Sequence, residues 1–411
     1  MSPGGWGGRQ LPSTDVTYLD HAATTPMRPE AVEAFTAALA DAGNASSLHA
    51  GGRRARRTVE EARESLAEVL GARPSDVIFT GGGTESDNLA VKGLYWSRRA
   101  ADPRRRRLLV SAVEHPAVLD TASWLARHQG AVLELLPVDG TGLVAPEVLR
   151  AAVGDDPSSV AMISVMWANS EVGTIQPVAE LARVAHGCGI PFHTDAVQAF
   201  GQVETSFAAS GADALTISAH KIGGPVGVGA LLVRRGLELE PIAHGGGQER
   251  DIRSGTLNTP GVAAFAAAAR AARAELPAEQ ARLAALRDDL VRRVLTEVPG
   301  ATLNGAPSGP GRLPGNAHLT FPGCEGDSLL MLLDAHGVEC STGSACSAGI
   351  ARPSHVLLAM GADEAHARGS LRFSLGHGSA ARDVDALVAV IGPVVERAAR
   401  AGELAGLSSR G

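Results

Sequence analysis

Lysine is scarce in this sequence, and one of its lysines follows a strand-like segment. Of the 37 lysine and arginine residues, only Lys92 and Lys221 are lysine. Lys221 closes the segment Ser218-Ala-His-Lys221, directly after the apolar run from Asp213 to Ile217. An amine with a lowered pKa forms a Schiff base with a carbonyl compound, which a guanidinium cannot do. Lys221 is therefore a candidate for covalent chemistry, although a surface lysine at a strand end would have the same local sequence. Lys92 lies on an amphipathic helix and is expected to be solvated.

An acidic residue and a glycine-rich turn follow two other strand-like segments. Asp195 precedes Ala196-Val-Gln198, and Gly81-Gly-Gly-Thr84 joins a strand to a helix. Ligands bind at the carboxyl ends of strands in open α/β sheets, and a glycine-rich turn at a helix N-terminus can bind an anion. Asp195 and Thr84 could each simply cap a helix. Together with Lys221 they favour pyridoxal phosphate, which needs an amine, a carboxylate for its pyridine nitrogen and a seat for its phosphate.

Cys346 has the sequence context of a reactive cysteine. It lies among small residues in the run from Ser341 to Gly349. A structural cysteine is normally packed among apolar neighbours, whereas this one is predicted to be exposed, mobile and able to react as a thiolate. The remaining cysteines are expected to be structural: Cys188, Cys324 and Cys340.

Three further polar residues lie at or within strand-like segments. His115 could stack on an aromatic ring, and Asn169 ends another strand in a loop, but both are also explained by structural roles. Arg372 interrupts the apolar segment Ser370 to Ser374 and must be paired there. A substrate carboxylate and a buried ion pair are both suitable partners.

The order of elements predicts an α/β fold. Strand-like and helical segments alternate from Val77 to Val233, which is the pattern of a mainly parallel sheet with helices on both faces. After Gly255 the pattern changes to two helices, Ala263 to Ala274 and Pro277 to Val298, followed by mixed elements. We therefore predict a disordered tail over residues 1–17, a large domain over 18–260 and a smaller α+β domain over 261–411. The first residues after the tail could pack with the small domain.

Composition limits the function classes. The net charge of −7 and pI near 6 argue against a nucleic-acid surface, and Arg104 to Arg107 are expected to form a solvated loop. No apolar segment is long enough for a membrane span, and the first residues do not resemble a signal peptide. The cysteines show neither a disulfide framework nor metal-ligand spacing. These features predict a cytoplasmic protein without a metal site.

The combined motifs resemble the NifS/IscS-type cysteine desulfurases, class V members of the fold-type I pyridoxal-phosphate enzymes. The likeness runs from Tyr18 to about Arg400. The motifs that carry it are Leu19-Asp-His-Ala-Ala-Thr-Thr-Pro26, Gly83-Thr-Glu-Ser-Asp-Asn88, Glu114-His115, Asp195-Ala-Val-Gln198, Ser218-Ala-His-Lys221, His244-Gly-Gly-Gly-Gln-Glu249, Arg253-Ser-Gly-Thr256, Ser344-Ala-Cys346 and Arg372-Phe-Ser374. The loop around Cys346 resembles that of the group I branch, whose catalytic loop is long.

The resemblance implies a role for each matching residue. Lys221 is expected to form the Schiff base with pyridoxal 5'-phosphate and later to move the α-proton, and His115 to stack on the ring and assist proton transfer. The expected cofactor contacts are Asp195 at the pyridine nitrogen, Gln198 at the phenolic oxygen, and Gly83, Thr84, Ser218 and His220 at the phosphate. Thr256 is expected to reach the phosphate from the partner subunit of a homodimer. The substrate L-cysteine would be held through its carboxylate by Asn169 and Arg372. Cys346 would attack the substrate sulfur, leaving alanine and a persulfide that is passed to an acceptor protein.

Three positions depart from the pattern of the family. Ser170 stands where many relatives have a second asparagine, which weakens the role of Asn169. Trp167 replaces a common histidine or asparagine, and His21 replaces a tyrosine of some members. Alternatives to the desulfurase are an aminotransferase or selenocysteine lyase of the same fold, or a non-catalytic sulfur-carrier scaffold. The destination of the sulfur, either iron–sulfur clusters or thiolated tRNA and cofactors, is not visible in the sequence.

Overall fold

The computed structural model describes residues 16–41, 43–343 and 353–408. Its strands are β1 (Thr17–Tyr18), β2 (Val77–Thr80), β3 (Arg107–Ser111), β4 (Val132–Leu136), β5 (Val160–Ser164), β6 (Phe192–Asp195), β7 (Ala214–Ser218), β8 (Gly229–Val233), β9 (Thr302–Leu303), β10 (Asn316–Thr320), β11 (Val338–Glu339) and β12 (Ser370–Ser374). Its helices are α1 (Pro29–Leu39), α2 (Ala50–Leu70), α3 (Gly83–Ala101), α4 (Pro116–Gln129), α5 (Pro146–Val153), α6 (Val178–Gly187), α7 (Phe207–Ser210), α8 (Thr259–Glu297), α9 (Gly326–Ala335), α10 (His355–Ala359), α11 (Glu364–Arg368) and α12 (Ala381–Ser408).

A seven-stranded sheet forms the centre of the large domain in the described residues, with the order β2-β8-β7-β6-β5-β3-β4. Strands β4, β3, β5, β6 and β7 run parallel. Strand β8 lies antiparallel between β7 and β2. The central strands β5, β6 and β7 are buried along their whole length, as expected for a sheet covered by helices on both faces. The predicted mainly parallel α/β class is confirmed.

Helix α8 joins two hydrophobic cores. Its first part carries Val262 and Phe265 into the core of the large sheet, and its second part carries Leu283 and Leu290 into the smaller core. The two separate helices predicted here are wrong, because one helix continues through Pro277. A proline inside a helix costs about 3 kcal/mol, and burial of apolar side chains on both sides offsets that cost. The change of core lies between Ala272 and Leu283, so the predicted boundary at residue 260 is too early.

The small domain is built on an antiparallel sheet of β9, β10 and β12. Strand β1 pairs in parallel with β11, and Leu19 packs in the core of this domain. The predicted tail therefore extends too far, since Thr17 is a buried strand residue. Residues 1–15 lie outside the described residues. The path of the chain from β1 to Pro26 then brings the N-terminal motif to the edge of the large sheet.

Membrane-spanning helices and metal clusters are both absent from the described residues. None of their helices is long and apolar enough to span a membrane. In the same residues, no group of three or more His, Cys, Asp or Glu side chains is placed to hold a metal ion.

Candidate active site

The carboxyl ends of the parallel strands open onto one cavity of about 790 Å³. Parallel strands direct their carboxyl ends to the same edge of a sheet, which is where ligands bind in this architecture. Nine of the predicted site residues line the cavity: Gly83, Thr84, His115, Asp195, Gln198, Ser218, His220, Lys221 and Arg372. The fold therefore brings together residues that are far apart in the chain.

Lys221 is held by backbone carbonyl groups of the N-terminal motif. Its Nζ atom donates to the carbonyl oxygens of Ala22 at 2.6 Å and Ala23 at 2.7 Å. Burial, together with the positive charge of Arg372, lowers the pKa of Lys221 to about 8, against the opposing effects of Asp20 and Asp195. A lysine with this pKa is partly neutral near pH 7.5, as Schiff-base formation requires.

The turn between β2 and α3 has the geometry of an anion seat. Gly82 has φ +147°, a region that other residues rarely adopt. A Cβ atom on Gly83 would lie 3.0 Å from a methyl carbon of Val197, which is a tight contact, and 3.7 Å from Cβ of Ser218, so glycine allows the helix start to lie close to Val197. Ser218 Oγ is buried and has no hydrogen-bond partner among the described residues. Helix N-terminal amides and an unpaired hydroxyl together suit a phosphate.

His220 lies beside this seat. Its Nδ1 atom is 3.2 Å from Thr24 Oγ1, and burial and the nearby Lys221 lower its pKa to about 4. The imidazole is therefore neutral at physiological pH. It can offer a phosphate oxygen an N–H donor without a charge.

Asp195 ends β6 and faces the cavity. One carboxylate oxygen accepts from the amide of Val197 at 2.8 Å. Burial raises the pKa of Asp195, while the charges of His115 and Lys221 and the Val197 amide act in the opposite direction. Gln198 donates to the carbonyl oxygen of Ala22 at 2.8 Å. Its Oε1 atom is buried and unpaired within the described part of the chain.

His115 caps the N-terminus of α4. Its Nδ1 atom accepts from the amide of Ala117 at 3.1 Å, so Nδ1 is unprotonated and the ring proton is on Nε2. Burial lowers the pKa of His115, and the charge of Asp195 opposes this shift. The ring is thus a neutral imidazole on the cavity wall. A flat ring at this position is suited to stacking on a ligand ring.

Arg372 projects into the cavity from β12 of the small domain. It donates to Asp20 Oδ1 at 2.7 Å and to the carbonyl oxygen of Ser170 at 3.0 Å. Its Nε atom is buried and has no acceptor among the residues that the structure describes. An ion pair of the kind considered from the sequence is therefore present, with Arg372 buried and Asp20 partly exposed. A donor remains that a ligand carboxylate could satisfy.

Three predicted site residues have other positions. Asn169 is buried, and its amide is used within the protein. Its Nδ2 atom donates to the carbonyl oxygen of Val113, and its Oδ1 atom accepts from the amides of Glu171 and Val172. Thr256 is exposed, and neither it nor Asn169 is among the described residues that line the cavity. Cys346 lies outside the described residues.

The comparisons with known proteins agree with this geometry. The family model for class-V aminotransferases matches residues 17–387. The chain is 58% identical to the IscS-like cysteine desulfurase of Mycobacterium tuberculosis, over 96% of this chain and 100% of that protein. A solved NifS-like protein superposes with a TM-score of 0.84 at 34% identity, covering 93% of this chain and 99% of that one. SspA, solved in complex with cysteine, gives a TM-score of 0.75 at 33% identity, covering 87% and 98%.

The chain belongs to the IscS/NifS-type cysteine desulfurases of the class-V aminotransferase family. Members of this family depend on pyridoxal phosphate, and the residues of this chain fit that cofactor. The anion seat with the unpaired Ser218 hydroxyl suits its phosphate. Lys221 and Asp195 line the same cavity, and an amine and a carboxylate are the groups that the aldehyde and the pyridine nitrogen of this cofactor require.

Four residues with ionisable side chains line the cavity but were given no role in the sequence analysis. Asp87 and Glu114 lie within motifs of this cysteine desulfurase family but were given no role. Glu171 is two residues from Asn169, and its carboxylate accepts from Ser354 Oγ at 2.5 Å. His355 is 3.0 Å from the carbonyl oxygen of Glu114 through Nε2. Glu114 and Glu171 could have been found from the sequence, because each is an acidic residue in a loop that follows a strand. His355 and Asp87 have no such sequence signal.

Proposed function

We propose that the protein removes sulfur from L-cysteine, releases L-alanine and leaves a persulfide on Cys346. The observation that carries this proposal is the convergence of Lys221, Asp195 and Arg372 on one cavity beside the anion seat. Amine, carboxylate and guanidinium are the groups that a cofactor aldehyde, a pyridine nitrogen and an amino-acid carboxylate require.

The phosphate end of the cofactor would be held by the anion seat of Gly83, Thr84, Ser218 and His220. Asp195 would hold the ring nitrogen, His115 would pack on the ring and Gln198 would contact the phenolic oxygen. When bound, pyridoxal phosphate supplies an electron-accepting ring that labilises the Cα–H bond and activates the β-substituent of an amino acid. The remaining steps depend on side chains of this chain.

The substrate carboxylate would bind at Arg372, whose Nε atom has no acceptor in the described residues. Asn169 is proposed to support this position through its loop, because its own amide is committed to backbone groups. Lys221, with a pKa of about 8, can remove a proton from Cα and return it to the product near neutral pH.

Sulfur transfer needs a nucleophile, which we assign to Cys346. The thiolate would attack the substrate Sγ, so that an S–S bond forms while the Cβ–Sγ bond breaks. The electron pair of the broken bond remains with the carbon fragment, which takes up protons to become alanine. The balance is L-cysteine plus a protein thiol giving L-alanine plus a protein persulfide. No further oxidant or reductant is consumed.

We also propose a homodimer in which Thr256 completes the phosphate site of the partner subunit. Its exposure and its position away from the cavity wall of its own chain support this proposal. The persulfide would pass to an acceptor protein for iron–sulfur cluster assembly or for thiolation of tRNA or cofactors, and we place this chemistry in the cytoplasm.

The test is a visible spectrum of the purified protein before and after L-cysteine, with alanine, sulfide and protein persulfide assayed together. We expect bound cofactor absorbance that changes on addition, with alanine formed in proportion. Cys346→Ala should keep the spectral change and lose the persulfide, whereas Cys188→Ala, at an exposed thiol, should behave as wild type. Full persulfide formation by Cys346→Ala would overturn its role.

Other outcomes distinguish the alternatives. Keto-acid formation instead of alanine and sulfur would indicate an aminotransferase, and turnover of selenocysteine alone would indicate a selenocysteine lyase. A protein that takes up no pyridoxal phosphate would be a scaffold, and the proposal would be wrong.

A further inference from the structure

A buried polar network lies behind Asp195, on the face of the sheet that α3 covers. His193 and Asp195 are two residues apart on β6, so their side chains point to the same face. His193 Nδ1 is 2.9 Å from Ser164 Oγ, and His193 Nε2 is 3.2 Å from Thr216 Oγ1. Asp87 of α3 lies against this network, with Oδ1 3.7 Å from His193 Nε2.

Three buried carboxyl groups surround this wall of the cavity. Asp87 is 1% exposed, Glu114 is 0% exposed and Asp195 is 5% exposed. Asp87 Oδ1 and Glu114 Oε2 have no hydrogen-bond partner in the described ranges. Three buried carboxylates whose charges act on one another cannot all be ionised, because each would bear a desolvation cost and repel its neighbours. At least one of the three must therefore carry a proton.

The contacts identify Asp195 as the ionised member. It accepts the Val197 amide at 2.8 Å, and the ammonium of Lys221 stabilises its charge against the effect of burial, which raises its pKa. Glu114 accepts only the amide of Met166 with one of its oxygens, and burial followed by the charge of Asp195 raises its pKa well above the ordinary value.

Of the three carboxyl groups, Asp87 has the fewest neighbouring groups that would stabilise a negative charge. Burial raises its pKa well above the ordinary value, and the charges of Asp195 and Glu114 act in the same direction, with Thr216 opposing. His193 cannot serve as its counter-ion, since burial lowers the pKa of His193 to about 3 and leaves the ring neutral.

We propose that Asp87 is a positioning residue that stays protonated, so that Asp195 alone is the carboxylate that receives the ring nitrogen of the cofactor. A neutral acid at this position fills the polar space behind Asp195 without competing for the positive charge. The inference rests on the cofactor role of Asp195 in the proposed function. It assigns Asp87 a function that needs its shape and hydrogen bonding but not a charge.

The test compares Asp87→Asn with Asp87→Ala in the holoenzyme. Asparagine has the shape of a neutral carboxyl group, so Asp87→Asn should leave the pH midpoint of the cofactor absorbance and the cofactor dissociation rate unchanged within about twofold. An ionised Asp87 near the cofactor would instead shift that midpoint by about one pH unit when neutralised. Asp87→Ala should release cofactor faster, because it removes the side chain that hydrogen-bonds to Thr216 and leaves a void beside His193.

Infrared difference spectroscopy gives a direct readout. The spectrum of the wild type minus that of Asp87→Asn should show the carbonyl stretch of a protonated carboxyl group from about pH 6 to about pH 9. An ordinary aspartate is ionised throughout this range. Glu114→Gln is the matched control, and its difference band assigns the second acid. A carboxylate band in place of the carbonyl stretch, or a shifted absorbance midpoint in Asp87→Asn, would overturn the proposal.

Failure of the proposed function is separable from failure of this inference. If wild-type protein took up no pyridoxal phosphate, the cofactor role would fail while the infrared band still reported the protonation of Asp87. If cofactor binding were normal but Asp87→Asn changed its titration, only the inference about Asp87 would fail.

Discussion

Lys221 Nζ lies 2.6 Å from the carbonyl oxygen of Ala22, a residue 199 positions earlier in the chain. The same carbonyl oxygen accepts from Gln198. The N-terminal motif therefore holds both the amine that we propose to form the Schiff base and the amide that we propose to contact the cofactor. This link accounts for the position of the motif beside the sheet, although β1 belongs to the small domain.

The lowered pKa of Lys221 predicts the pH dependence of cofactor uptake. Only the neutral amine attacks the aldehyde, so the rate of pyridoxal phosphate incorporation into cofactor-free protein should rise with pH and level off above about 8. An ordinary lysine would keep rising to about pH 10.4. Stopped-flow absorbance measures the rate. A rate that still rises past about pH 9.5, as it would for a lysine with the ordinary pKa, would contradict the lowered pKa of Lys221.

Arg372→Lys should weaken substrate binding more than cofactor binding. Lysine keeps the charge but loses the planar set of donors, so kcat/KM for L-cysteine should fall by about 10- to 100-fold, mainly through KM. The cofactor spectrum should be unchanged. Arg368→Lys is the matched control, because Arg368 forms an ion pair with Glu364 at 3.5 Å whose side chains are 38% and 69% exposed. An unchanged KM in Arg372→Lys would remove Arg372 from the carboxylate site.

The buried ion pair of Arg63 and Glu249 should be important for stability. Arg63 donates to both carboxylate oxygens of Glu249, at 2.8 and 2.6 Å, and the amide of Phe79 donates to the same carboxylate. Glu249→Ala removes the buried carboxylate of the pair, leaves Arg63 with only the half-exposed carboxylate of Glu60 at 3.2 Å, and should cost about 3–5 kcal/mol of unfolding free energy. Asp41→Ala, in the exposed pair with Arg54, should cost less than about 1 kcal/mol. Denaturant unfolding measures the unfolding free energy of both variants. Equal losses in Glu249→Ala and Asp41→Ala would contradict the larger contribution that we expect from the buried pair.

Glu114→Gln should change the pH dependence of stability. The folded-state pKa of Glu114 is raised above the unfolded value, so the folded state binds more protons, and its stability falls as pH rises from the unfolded pKa toward the folded one. Glutamine does not ionise, so the variant does not lose stability in this way as pH rises. The variant should therefore match wild type near pH 4.5 (about the unfolded pKa of glutamate) and become more stable relative to it as pH rises. Thermal unfolding across this range tests the sign, and a variant that loses relative stability with rising pH would contradict it.

Much of the fold was predictable because its local signals are strong. The alternation of strands and helices predicted from Val77 to Val233 is present as β2 to β8 with helices between most of them, since each strand is a short and largely apolar run. The helix predicted to follow the turn Gly81-Gly-Gly-Thr84 already begins within it, at Gly83. Gly82 keeps the positive φ of a turn, and Gly83 is the first helical residue.

The site was predictable to the extent that its residues follow strands. Lys221, Asp195 and Thr84 follow strand ends in the sequence, and parallel strands must direct those ends to one edge. The exposed position of Thr256 and the internal hydrogen bonds of Asn169 were not visible, because neither depends on local sequence. Their roles stay predictions.

The sequence by itself determined the chemical groups that are available and the sheet edge at which they meet, because strand ends and turn residues are local properties. Only the tertiary structure decided where the two cores divide along α8, that Arg372 pairs with Asp20, and that Asp87 and Glu114 are buried beside Asp195. These features arise from contacts between residues far apart in the chain. Burial of a carboxyl group, and with it its charge state, depends on which elements surround it and not on its sequence neighbours.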